Sequence, residues 1–189
     1  MLERTLILIK HDGIQRSLVG EILKRFEQRG MKIIGMKMVL PTKEMALNHY
    51  VMTDAWIEKL GNNTRSAAKS KGIELKETNR EIAERVRQWN IDYLTEGPII
   101  ALAFEGFHAI EIGRKLVGHA EARQAQIGTI RGDFTVESYE MADSKQRTIR
   151  SIVHASGNLE EATNELSLWF SAKELHEYER LDWKIMHKH

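Results

Sequence analysis

The chain has 189 residues, enough for one domain with a sizeable core. Its 28 Lys plus Arg against 27 Asp plus Glu leave a formal net charge of +1, which excludes a chain-wide field for nucleic acid or membrane. Cysteine is absent, so disulfides, thiolate catalysis and Cys-based zinc sites are excluded as well.

Taken in chain order, the first apolar run, Leu6 to Ile9, is too short for a signal-peptide core or a membrane span, and the expectation is a cytoplasmic protein. Thr5 to Ile9 reads as a buried strand broken by Gly13, which places Lys10 at the strand's C-terminal end. From Leu18, the positions Val19, Ile22, Leu23 and Phe26 recur at helical spacing, and Gly30 is a natural stop. Met31 to Leu40 predicts a second strand ended by Pro41. Thr42 then caps a short helix over Glu44 to Tyr50, with Asn48, His49 and Tyr50 at its end.

The stretch GNNTRSAAKSKGIELKETNRE is polar and poorly periodic, and reads as an excursion from the main domain. Thr78 and Glu81 form a capping-box pattern, after which Ile82, Val86, Trp89 and Tyr93 make an apolar stripe best suited to packing. Gly97-Pro98 precedes IIALAF, a continuous apolar run that predicts a central strand, and Phe107 to Val117 reads as helix. In RSIVHASGN a fourth strand ends near His154, whose neighbours Ala155, Ser156 and Gly157 are small and leave open space around the imidazole. Asn158 or Ser156 caps a last helix with Leu159, Ala162, Leu166 and Trp169 facing inward. The order β-α-β, β-α-β predicts an α/β (α+β) fold: a ferredoxin-like split β-α-β core with a four-stranded antiparallel sheet and extra helices. No internal repeat or low-complexity segment interrupts it.

In GTIRGDF two glycines bracket Thr129, Ile130 and Arg131, so a tight turn holds one guanidinium in a fixed direction, and its fork of donors suits phosphate oxygens. A plain structural loop with Arg131 paired to Asp133 is the alternative. Lys10 at one strand end, Arg114 after the Gly113 of a helix, and His154 at another strand end complete three cations and a nucleophile. Phosphoryl transfer needs mainly positioning and charge stabilisation, which such a set supplies.

These residues carry a resemblance. KHDGIQRSLVGEILKRFEQRGMKIIGMKM resembles the N-terminal block of nucleoside diphosphate kinases, GPIIALAFEG their third-strand block, and GTIRGDF, VHAS and ELSLWF their C-terminal blocks, across most of residues 4 to 175. The resemblance implies a ferredoxin-like core assembled as a homo-oligomer, commonly a hexamer. It also implies transfer of the γ-phosphate of ATP and other nucleoside triphosphates to nucleoside diphosphates, by a ping-pong route through a phosphohistidine, with Mg²⁺ on the nucleotide. Matched position by position, His154 is the nucleophile and Glu165 the carboxylate holding its other ring nitrogen. Lys10, Arg114 and Arg131 match the phosphate-binding cations, Tyr50 the tyrosine beside them, and Ser156 the hydroxyl near the histidine.

The chain departs from the pattern at several of these points. His11 stands where the family often has proline, Ala120 where it has a phosphate-contacting threonine, and Ser151 where it has an asparagine that touches the nucleotide. Both positions are still expected to face substrate, with weakened hydrogen bonding. Insertions are expected at about 54–95 and 137–150 within a single domain of residues 1–189, a feature of archaeal-type members. The first displaces the base-stacking aromatic, leaving Trp56 and Leu60 as candidates, and it carries Arg65, Lys69 and Lys71, read chiefly as a solvated basic face. The remaining histidines, His11, His49, His108, His119, His176, His187 and His189, receive no catalytic role, and no all-protein metal site is expected. The competing reading is a catalytically weakened or inactive nucleotide-binding or scaffold oligomer. An RNA-binding module on this topology would want aromatics on the sheet face inside a basic field, and IIALAF offers one phenylalanine and no charge.

Overall fold

The computed structural model describes residues 2–70 and 72–186. In β1 (Leu2–Ile9) all residues from Thr5 onward are buried, because both faces of the strand are covered. β1 pairs antiparallel with β3 (Ile99–Phe107), from Leu2 opposite Phe107 to Ile9 opposite Ile100. β2 (Lys32–Val39) pairs with the other side of β3, with an irregularity between Ile33 and Gly35. β4 (Val153–Ala155) pairs with β1, so the antiparallel sheet runs β2-β3-β1-β4, as the β-α-β, β-α-β order predicts.

Alternation along β1 divides the core. Leu6 and Leu8 face a layer built by α3 (Lys43–His49), α5 (Asn79–Thr95) and α9 (Leu159–Trp169), through Ala46, Ile91, Leu94, Leu166 and Trp169. Ile7 and Ile9 face the opposite layer, where α2 (Val19–Gln28) and α6 (Ala109–Val117) contribute Ile22, Phe26, Ala109 and Val117. Each fully buried Leu or Ile of this kind contributes about 1.5–3 kcal/mol. The short helix α1 (His11–Gln15) follows β1 directly.

Several local expectations hold, and others shift. The Thr42 side chain accepts from Met45 N, the Thr78–Glu81 capping box is complete, and Asn158 rather than Ser156 caps α9. Phe107 still belongs to β3. The helix after it starts at Ala109, because His108 turns the chain in the left-handed region at φ 54°.

The polar, poorly periodic stretch after Gly61 is helical as far as residue 70. It continues α4 (Asp54–Ser70), a 17-residue helix packed against α5. Its inward side runs Ile57, Leu60, Gly61, Thr64, Arg65 and Ala68, a helical spacing made largely of small or polar residues. Gly61 is required there, since a Cβ would sit 2.4 Å from Asn79 Cγ. Between α6 and β4 lie α7 (Ile130–Phe134) and α8 (Tyr139–Ser144), and α10 (Leu181–Met186) follows α9. Among the described residues no helix is long and apolar enough to cross a membrane.

Candidate active site

β4 is short, yet its register decides where the imidazole goes. Val153 packs into the layer containing α2 and α6, so His154, one residue on and opposite Leu8, faces the α3 and α9 side. There α9 presents Ala162, Glu165, Leu166 and Trp169 as its buried stripe. Glu165 takes a place that packing alone would give to an apolar residue, and a buried carboxylate must be paired.

Its pairing is complete. Oε1 meets His154 Nε2 at 2.8 Å, and Oε2 accepts the Ser156 hydroxyl at 2.6 Å. Burial alone would raise the Glu165 carboxyl, but the charge and hydrogen bond of His154, with His49 and Ser156, hold it below the usual carboxylate range. With Nε2 engaged, Nδ1 is the ring nitrogen of His154 left with a lone pair for chemistry. The His154 side chain is 21% exposed, so a substrate can reach it. Ser156 is fully buried and tied to β1, its hydroxyl accepting from Leu6 N at 3.2 Å. It therefore acts on Glu165 rather than on the imidazole directly.

His49, given no role above, packs edge-on to His154 with ring centroids 4.6 Å apart. Its Nδ1 accepts from Trp169 Nε1 at 3.3 Å and lies 3.7 Å from Glu165 Oε1. Burial first, then the nearby His154, lowers its pKa to about 3, so it is neutral at ordinary pH. The sequence held one signal for it: His49 precedes Tyr50 at the end of α3. Tyr50 itself packs edge-on to His49 at 4.8 Å, and burial followed by Glu165 raises its phenol well above the usual range.

The cations gather nearby. Lys10 is 7% exposed, with Nζ donating to Ser151 Oγ at 3.4 Å and standing 4.5 Å from the centroid of Tyr93. Burial, reinforced by Arg131 and partly offset by Asp12, brings Lys10 down to about 7. Tyr93, whose spacing suggested packing alone, also accepts from Ser151 N at 3.1 Å. Ser151 is thus a buried post between Lys10 and Tyr93.

Arg131 lies in α7 rather than in an open loop. It donates through Nε to Ser151 O at 3.3 Å, through Nη1 to Gly118 O at 3.0 Å and through Nη2 to Val153 O at 2.7 Å. Burial pulls its guanidinium down to about 10, with Tyr139 and Tyr93 favouring its charge and Arg114 opposing it. The suggested Arg131–Asp133 pair does not form: Asp133 accepts from Gly128 N and pairs with Arg25 at 2.7 Å. Arg114 and Ala120 are exposed, Arg114 being near enough to Arg131 to repel its charge.

Other sequence candidates sit apart. Trp56 is half-buried in the first turn of α4, and its indole makes no hydrogen bond or ring contact among the described residues. Arg65 is consumed within its own hairpin, donating to Asn79 Oδ1 at 2.9 Å, Leu75 O at 3.0 Å and Glu77 O. Lys69 is exposed, whereas Lys71, His187 and His189 lie outside the described residues. His11 is buried, its Nε2 3.0 Å from Arg150 Nη1 and 3.3 Å from Glu96 Oε2. His49, His154 and Glu165 keep one donor atom each within 4.8 Å of one another, a nitrogen-rich set unlike the oxygen environment that Mg²⁺ prefers.

Comparison with known proteins fits this geometry. A family model described as nucleoside diphosphate kinase matches residues 3–56 and 79–175. A nucleoside diphosphate kinase of Pyrobaculum aerophilum is 35% identical over 178 residues, covering 92% of this chain and 97% of that one. One from Pyrococcus horikoshii is 37% identical over 182 residues, covering 96% and 94%. The crystal structure of an NDP kinase from Pyrobaculum aerophilum superposes with a TM-score of 0.89 at 34% identity, covering 94% of this chain and all of that one. A transition state mimic of the Borrelia burgdorferi enzyme, with bound vanadate and ADP, gives 0.79 at 30% identity, covering 97% and 96%.

Proposed function

Because this chain belongs to the nucleoside diphosphate kinase family, we propose that His154 is the residue through which it passes a phosphoryl group from one nucleotide to another. The protein is a phosphotransferase that moves the γ-phosphate of a nucleoside triphosphate to a nucleoside diphosphate. The observation that carries the role of His154 is its 2.8 Å contact from Nε2 to Glu165. That contact fixes the tautomer and leaves Nδ1 free to attack.

In the first half-reaction the Nδ1 lone pair forms a bond to the γ-phosphorus, the bond from that phosphorus to the β-phosphate oxygen breaks, and the diphosphate departs with the electron pair. The imidazole gains positive charge as it is phosphorylated, and the Glu165 carboxylate, kept ionised by His154 and Ser156, stabilises it. In the second, a terminal oxygen of another diphosphate attacks the phosphorus and the N–P bond breaks, restoring His154.

Lys10, Arg114 and Arg131 hold phosphate oxygens, Tyr50 packs the His49 side of the imidazole, and Ser156 steadies Glu165. Mg²⁺ arrives on the nucleotide, in keeping with the nitrogen-rich donor set around His154. Ala120 and Ser151 line the substrate side, with Ser151 acting through Lys10. Trp56 is retained for the nucleotide base, supported only by its place at the start of α4.

The chain is read as one kinase domain of residues 1–189 with insertions at about 54–95 and 137–150; residues 57–78, left between the two matched segments, fall within the first, and the second lies inside a matched segment. A cytoplasmic homo-oligomer, a hexamer by resemblance, completes the reading. The edge strand β2 supports association, since Met36 and Met38 are each 58% exposed and Leu40 64%.

Incubation with γ-labelled ATP tests the central step. An acid-labile label on the wild type that His154→Ala abolishes is expected, and equal labelling of that variant would overturn the assignment.

A further inference from the structure

Lys10 is a buried ammonium with few partners. Its Nζ donates to Ser151 Oγ at 3.4 Å, and among the described residues no carboxylate lies within ion-pair distance of it. A carboxylate there would steady the charge but also neutralise the field that a phosphate must feel. The charged and titratable groups around it are Arg131 from α7, Asp12 from α1, His49 from α3 and Tyr93 from α5. Arg131 repels the ammonium, His49 is neutral, and Asp12 only partly offsets burial. What remains to hold Lys10 is the ring of Tyr93.

Tyr93, buried on α5, meets this assembly at two points. Lys10 Nζ stands 4.5 Å from its ring centroid, inside the range at which the negative face of an aromatic ring attracts a cation. At the far end of the ring the hydroxyl accepts from Ser151 N at 3.1 Å, and the Oγ of that serine is the acceptor for Lys10. Ring, serine and ammonium thus close a triangle. Burial, then the charge of Asp12, raises the phenol well above its usual range, so the face offered to Lys10 is that of a neutral ring. The ring is itself fixed. His11 packs edge-on to it at 5.3 Å, and the Arg150 guanidinium lies 5.3 Å from its centroid while pairing with Glu96 at 2.8 Å.

We infer that Tyr93 is a positioning residue for the transfer reaction, its ring face and hydroxyl together holding the Lys10 ammonium where a phosphate oxygen of the nucleotide meets it. That role rests on the phosphotransfer reading above. A π face attracts the cation without adding negative charge, so Lys10 keeps its attraction for phosphate. Of the three N–H donors of the ammonium, only one is directed at a protein oxygen. The helix α5 thereby reaches the chemistry through a side chain whose spacing signalled packing alone.

Calorimetric titrations of the full chain with ADP between pH 6 and pH 9 test this role. Lys10→Arg supplies the curve without lysine titration, so that ionisation of ADP itself cancels. ADP affinity begins to fall where free Lys10 loses its proton, at about pH 7 in the wild type. Tyr93→Leu removes the ring, disfavours the charged ammonium and should move that fall to lower pH by about half a unit to one unit. Tyr93→Phe keeps the ring and should leave the fall at the wild-type pH, while weakening ADP binding about two- to threefold through the loosened Ser151. A residue that only packs would lower the melting temperature and leave the pH of the fall alone, so the same pH for Tyr93→Leu and wild type would overturn the inference. Should Tyr93→Leu not fold, pentafluorophenylalanine introduced at position 93 makes the comparison with Tyr93→Phe in nearly the same shape. Its ring face repels a cation, and an unmoved fall there would overturn the inference equally. Labelling of the wild type by γ-labelled ATP separates the two levels. Failure to label overturns the phosphotransfer reading and this inference together, whereas a labelled protein whose pH dependence ignores the ring at position 93 overturns only the latter.

Discussion

Ser156 donates its buried hydroxyl to Glu165 Oε2 at 2.6 Å, on the oxygen opposite the one that holds His154. The serine therefore controls the nucleophile at one remove, through the charge and orientation of the carboxylate. Removing it in Ser156→Ala takes away one of the contacts that keep Glu165 low, so its carboxyl rises. The acid limb of the kcat/KM profile should move to higher pH, with turnover reduced about tenfold and stability by about 1–2 kcal/mol. An unshifted acid limb would show that the hydroxyl does not hold the carboxylate.

Lys10 gives nucleotide binding a pH dependence of defined sign. In the free protein its pKa is lowered to about 7, so it loses its proton as pH rises through that value. A bound phosphate favours the charged form and raises the pKa in the complex, so binding takes up a proton and ADP affinity falls from pH 6 to pH 9. Lys10→Arg, always charged, should flatten this dependence. Titrations in buffers of different ionisation enthalpy read the proton uptake directly, and zero uptake at pH 8 would contradict the account.

Arg131 is expected to matter for folding as well as for turnover. Glycine flanks suggest a loop residue that truncation would leave structurally harmless, whereas the side chain ties Gly118, Ser151 and Val153 together. Arg131→Ala should cost about 2–3 kcal/mol, from roughly 1 kcal/mol per abandoned carbonyl, and lower kcat by about 10²–10³. The melting temperature measured beside kcat per folded molecule resolves both effects. An unchanged melting temperature would mean that these bonds add nothing to stability.

Arg65 should behave in the opposite way. Its donors close the turn between α4 and α5 on Leu75, Glu77 and Asn79. Arg65→Met should lower stability by about 1–3 kcal/mol and leave ADP affinity within about twofold of wild type. A clear loss of ADP affinity at full stability would restore Arg65 to a substrate role.

What the sequence made legible, and what it hid, follows from the physics of each segment. The covered part of β1, Leu6 to Ile9, could be read because a strand buried on both faces is a continuous apolar run, and the Thr78 box because capping is encoded within four residues. α4 escaped because its packed side is Gly61, Thr64, Arg65 and Ala68. There the inward spacing is real, but fit to α5 replaces hydrophobicity as its signature. His154 and Glu165 emerged from the quoted motifs, whereas His49 is joined to them only through space, by α3 and α9 packing on one face of the sheet. The double duty of Tyr93 was concealed for a related reason, since helical period reveals which side faces inward and not which polar atom waits there. Arg131 could be named from its glycine-flanked motif, but its three carbonyl partners come from distant turns that no local pattern joins.

The 2.7 Å bond from Lys10 N to Ile152 O closes a small frame around the chemistry. Ile152 is fully buried in the left-handed region at φ 62°, a costly conformation for a β-branched residue, held where Val153 N turns back to Ser151 O at 2.6 Å. Lys10 continues directly from β1, and His154 is registered against Leu8 of that same strand. The gap between cation and imidazole is thus gauged by one piece of backbone, like two jaws mounted on a single bar. Outlying growth, such as the far end of α4 and its turn, can enlarge the molecule while the jaws keep their spacing.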